Sequence, residues 1–135
     1  MPSAIDWKDI EATGRQDLHL VAAIAAKLVL HKVPVEHQAT VRDFLDGILR
    51  VDATGPNLNQ RWFAAGSEAV MKASGQPYEH SQRAALSAAY TAGQAAGHRS
   101  FGRVPVMECH QTIEACLVAE PSYERQLRAL IGLPA

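Results

Sequence analysis

The chain has little of what usually announces a function. It holds two cysteines in 135 residues, too few for a disulfide framework. Neither CxxC nor HExxH occurs, so the most recognisable zinc patterns are missing. No glycine-rich loop ends in Gly-Lys-Ser/Thr, which removes the phosphate cradle of a nucleotide-cleaving loop. No Gly-x-Ser-x-Gly elbow presents a serine nucleophile. An excess of charge of one sign is also lacking. A formal net charge of -1 argues against coating nucleic acid or an anionic membrane through bulk electrostatics. The longest apolar stretch, Leu18 to Leu30, is interrupted by His19 and Lys27 and falls short of the ~20 residues a membrane-spanning helix needs. The opening residues, MPSAIDWKDIEATG, show no basic start followed by an apolar run, so no secretion signal is expected. A cytoplasmic protein with no membrane contact is the expectation.

What is present points to helices. Hydrophobic residues make up 47% of the chain and charged ones 20%, ordinary values for a globular protein. At this length about two-thirds of the unfolded surface can be buried without a metal or disulfide. Helical periodicity dominates, and no run of alternating β-branched residues suggests a sheet. A first helix near Ala4–Ala12 should stop at Thr13-Gly14. A second, near 16–31, is apolar almost all round. Its polar residues Gln16, His19, Lys27 and His31 form a narrow stripe, which marks it as the central helix, with His19 and His31 turned to water. A third follows Pro34, with Val41, Phe44, Leu45, Ile48 and Leu49 on one face. DATGPNLNQ reads as a loop. A fourth helix, from about Leu58 to Ala73, is anchored by Trp62, Phe63 and Val70 and closed by Ser74-Gly75.

The fifth helix, roughly Tyr78–Gly97, is built almost wholly of small residues. Ala85, Ala89, Gly93 and Gly97 recur every four residues, a stripe that lets another helix backbone come close, within the chain or from a second copy. A sixth helix, about Val106–Val118, carries Val106, Cys109, Ile113, Cys116 and Leu117 on one face, and a seventh runs from a Ser122 cap to Ile131. Cys109 and Cys116 lie about 10 Å apart along a helix axis, too far for a disulfide, and read as buried, reduced thiols. The expectation is a single domain over residues 1–135, all-α and bundle-like, with six or seven helices around the central apolar one.

One stretch stands apart. Between His80 and Met107 there is no acidic residue, yet Arg83, Arg99 and Arg103 fall within it. The loop His98-Arg99-Ser100-Phe101-Gly102-Arg103 runs into a helix start, where free backbone N–H groups favour an anion and arginine forks would reinforce it. His98, Arg99, Ser100, Arg103 and His110 are therefore the candidate residues for a small anionic ligand. The structural counter-reading is that these cations complement the C-terminal dipole of the fifth helix. His110 and Glu114 share a helix face four residues apart, either as a metal pair or as a carboxylate orienting an imidazole. A di-metal bundle needs Glu-x-x-His on facing helices, which is absent, so neither a metal nor a cofactor is expected. His37 is placed at the core boundary. Phe101 and Trp62 are assigned to core or boundary packing.

The leading functional expectation is a small helical interaction protein that binds another protein, as an immunity factor, adaptor or inhibitor does. Its contact would be with a protein partner or a second copy through the small-residue helix 83–97. The alternatives are an enzyme or receptor for a small anionic ligand at 98–110, and nucleic-acid backbone binding through the acid-free segment 80–107. The last is weak, because the alanine-rich helix offers few side chains that could reach base edges.

Overall fold

The computed structural model describes residues 5–51 and 59–134. Within them lie seven α-helices: α1 (Trp7–Ala12), α2 (Leu18–Leu28), α3 (Val35–Leu49), α4 (Gln60–Ser74), α5 (His80–Ser100), α6 (Val106–Ala119) and α7 (Glu124–Ile131). Short 3₁₀ turns at Leu30–Lys32 and Pro121–Tyr123 precede α3 and α7. Among the described residues there is no strand, so the all-α expectation holds. No helix there is long and apolar enough to cross a membrane.

The centre is a three-helix contact of α2, α5 and α6, and the α5–α6 pair is the most extensive in the molecule. Its character follows from alanine. Ala22, Ala23, Ala25 and Ala26 of α2 and Ala84, Ala85, Ala88, Ala89, Ala92, Ala95 and Ala96 of α5 are all buried. Side chains that short let axes approach at the close end of the usual 8–10 Å range, about 8 Å. Larger residues then fill the periphery: Leu18 and Val21 of α2, Ile113 of α6, and Leu127 and Ile131 of α7 are each almost fully buried. Polar contacts also cross this apolar seam, the Cys116 thiol donating to the Ala25 carbonyl of α2 at 3.3 Å. The hydroxyls of Thr91 and Thr112 lie 2.7 Å apart and join α5 to α6.

The third and fourth helices pack on α5 through aromatic rings seated on glycines. Phe44 of α3 is 2% exposed and stacks with Trp62 and Phe63 of α4 at centroid distances of 5.6 and 6.0 Å. A Cβ at Gly93 would lie 2.7 Å from the tip of the Phe44 ring, and one at Gly66 would fall 2.9 Å from its Cε1. Gly47 likewise leaves the space that the Trp62 ring occupies. At the ends of the fold, polar links bind the elements. The Arg15 guanidinium forks onto Asp17 and donates to the Leu130 and Ile131 carbonyls at the end of α7. Lys27 of α2 meets Asp46 of α3 at 2.6 Å.

Several sequence expectations need adjustment. Helix α2 is shorter than 16–31. It gives way to the 3₁₀ turn before Pro34, because a residue preceding proline is pushed out of the α region, and Val33 is extended at ψ 138°. The stripe on α2 also differs: His19 is fully buried, whereas Ile24 is 40% exposed. Lys27 and His31 do face outward, so the wet face is set by where neighbouring helices lie and not by polarity alone. Helix α5 begins at His80 and continues to Ser100, beyond Gly97. Ser122 does not cap α7; it sits in the 3₁₀ turn and donates to Glu120 at 2.8 Å. Asn59 is the cap of α4, its side chain accepting from the Trp62 N–H at 3.0 Å. The start of the first predicted helix at Ala4, the loop over 52–58 and the fourth helix's predicted start at Leu58 lie outside the described residues.

Candidate functional site

The loop singled out by sequence is a hydrogen-bonded turn. At the end of α5, the Gly102 N–H donates to the Arg99 carbonyl at 2.9 Å and the Arg103 N–H to that of His98 at 3.1 Å. This paired closure needs a left-handed residue just past the helix, and Gly102 supplies it at φ +84°. The Ser100 hydroxyl donates to the Gly97 carbonyl at 2.7 Å, so its proton belongs to the helix end. His98 and Arg99 occupy the last turn of α5, where cations complement the helix dipole.

The next helix brings its own anion to this place. Glu108 lies in the first turn of α6, where a carboxylate is favoured by the free N–H groups. Its oxygen accepts from His98 Nδ1 at 2.8 Å. The acid that ends the acid-free segment thus pairs with the first histidine of the loop and fastens the end of α5 to the start of α6. The amino-acid sequence alone does not pair Glu108 with His98, because contacts across a turn carry no helical spacing.

His110 is not part of this group. Residues 108 and 110 are about 200° apart around a helix, so His110 faces away from Glu108. Its Nε2 donates to the Ile5 carbonyl at 3.1 Å, and its Nδ1 lies 3.4 Å from Glu114. Its side chain is 13% exposed, and both ring nitrogens face protein oxygens, which is the arrangement of a structural pair. Among the described residues, no group of three His, Cys, Asp or Glu side chains could hold a metal ion. Of the five candidate residues, then, His98, Arg99, Ser100 and Arg103 share the turn and His110 ties α6 to the chain's beginning.

Phe101 corrects the sequence expectation most sharply. It was assigned to packing, yet it is 79% exposed, because the cap geometry of α5 leaves it outside the core. Arg103 is exposed beside it in the chain, and Met107 at the start of α6 is 47% exposed. Trp62, in contrast, is half-buried against Phe44, as expected.

The small-residue stripe is spent within the chain. Ala85, Ala89 and Gly93 are buried, with Phe44 over Gly93 and Phe63 over Gly97. A partner approaching α5 would meet Arg83, Ser87 and Gln94 instead, which are exposed. The remaining candidates resolve into structure. His37 is half-buried with Nε2 2.8 Å from the Tyr78 hydroxyl. Cys109 and Cys116 are buried free thiols, and burial pushes both up to about 12, far from nucleophilic range at neutral pH. Comparison of the chain with protein-family models, with curated proteins and with solved structures finds no match.

Proposed function

We propose that this chain is an interaction protein, of the immunity, adaptor or inhibitor kind, that binds another protein through the connection between α5 and α6. The observation that carries this reading is Phe101, a large apolar ring 79% exposed on a turn that two backbone hydrogen bonds and the His98–Glu108 contact hold in place. A ring presented on a fixed turn loses little conformational entropy when it docks. Aromatic residues, methionine and arginine are the types enriched at interfaces, and Phe101, Met107 and Arg103 supply one of each. The exposed Arg103 favours a partner surface that offers carboxylates around an apolar pocket. The cytoplasm suits such a protein, since Cys109 and Cys116 are at home as reduced thiols. A small anion at the same turn is the weaker reading, because Glu108 already gives His98 its carboxylate.

The test is native mass spectrometry of the untagged protein recovered from its own cells, beside the double variant Phe101→Ser, Arg103→Ser. The expected result is a second protein bound to the natural chain and lost from the variant, with the melting temperature unchanged. A bare natural chain, or a partner retained by the variant, overturns the proposal.

A further inference from the structure

A groove of about 530 Å³ runs between the first half of α5 and the last turns of α6, within the 300–1,000 Å³ typical of small-molecule sites. Along α5 it is bordered by His80, Arg83, Ser87 and Tyr90, and on the α6 side by Ala115 and Val118. The helical spacing of the α5 residues, three or four apart, lines them along one face. None of the lining residues is an acid. Arg83 forms no ion pair among the described residues. Glu79, one turn before it, is taken up in a capping box with Gln82, whose side chain accepts the Glu79 N–H at 3.0 Å. Ala84, Ala115 and Val118 give it apolar surface, and Val118 is 46% exposed.

From this juxtaposition we infer that the groove binds a small organic anion, with its carboxylate or phosphate head on Arg83 and its apolar body against Tyr90, Ala115 and Val118. Arginine presents a planar fork that matches both head groups. The His80 ring and the Ser87 hydroxyl add polar groups at the rim. The apolar wall selects against bare inorganic ions, which would gain nothing from it. This site is separate from the protein-binding turn. Arg83 and Phe101 are 18 residues apart in the chain, about 27 Å along a helix axis, so failure at one leaves the other standing.

The experiment is a titration of the full chain with 4-phenylbutyrate, followed by amide and side-chain NMR shifts, alongside the neutral 4-phenylbutyramide and inorganic phosphate. The carboxylate should shift resonances of Arg83, Ser87, Tyr90 and Val118. Loss of one charge-assisted contact, through the amide probe or Arg83→Gln, should weaken binding about tenfold or more. Arg83→Gln is expected to fold normally because the side chain is exposed, and its unchanged amide spectrum away from the groove checks this. Ala115→Gln, which fills the apolar wall, should abolish binding while leaving Arg83 in place. The inference is overturned by no shifts up to about 10 mM probe, by equal binding of the amide, by equal binding of inorganic phosphate, or by shifts confined to the turn around Phe101.

Discussion

Replacing Gly93 by alanine should destabilise this protein, although alanine is the better helix former. In an exposed helix the change would gain about 1 kcal/mol. Here the new Cβ would lie 2.7 and 2.8 Å from Cζ and Cε2 of Phe44. That ring cannot retreat, since Gly66 backs it and Trp62 and Phe63 stack against it. Overpacking of this kind costs about 1–3 kcal/mol, and a contact this close belongs to the upper part of that range. The net loss should be about 1–2 kcal/mol. Phe44→Leu alone removes three ring carbons and should cost about 2 kcal/mol. It also removes both atoms that the Gly93 methyl would strike, so Gly93→Ala should become stabilising in that background, by about 1 kcal/mol. The coupling between the two sites is then about 2–3 kcal/mol. Gly66→Ala gains no comparable rescue, because the contact at Gly66 includes Cδ1 of the ring and leucine keeps atoms at that depth. Urea unfolding of the four proteins in the Gly93 cycle, compared at equal m, measures this. A stabilising Gly93→Ala in the natural background, or a coupling below about 0.5 kcal/mol, refutes the packing argument.

Two further predictions concern groups away from any proposed site. The Arg15 fork, by hydrogen bonding, holds the Asp17 carboxyl below its ordinary value of 3.8. Its contribution is therefore complete above that value and is lost as the pH falls through the folded-state pKa. Arg15→Gln should lower the melting temperature near neutral pH and lose less stability than the natural chain between about pH 5 and pH 2; parallel acid dependence in the two proteins would contradict the pairing. The thiols of Cys109 and Cys116, pushed up by burial to about 12, should react with an aromatic disulfide reagent at pH 8 only as fast as the protein opens. Both should react at once in denaturant, and rapid labelling of the native chain would show that the α6 face is open.

Much of the architecture could be read before any coordinates, and the reason is periodicity. Val41, Phe44, Leu45 and Ile48 recur at helical spacing and are the buried residues of α3. Cys109, Ile113 and Cys116 do the same for α6. A repeating apolar face commits a segment to helix and to an inward side, because a helix has few other ways to hide it. The stop at Gly14 was equally legible, since a left-handed backbone strongly favours glycine, and Gly14 has positive φ.

Contacts between distant segments carry no such signature, and tertiary structure alone decided them. His19 is polar and was read as wet; it is buried because of where other helices cross α2, which no local pattern encodes. The small-residue stripe of α5 declared close packing but not with what, and the answer was the Phe44 and Phe63 rings brought in from α3 and α4. The basic turn announced a place for an anion, while Glu108 could be recognised as that anion only once α6 folded back along α5. Phe101 was apolar and therefore assigned inside, yet the turn that caps α5 holds it in solvent. The amino-acid sequence determined which segments are helical and which face each one must hide; the meeting of those faces determined which side chains were left outside to act.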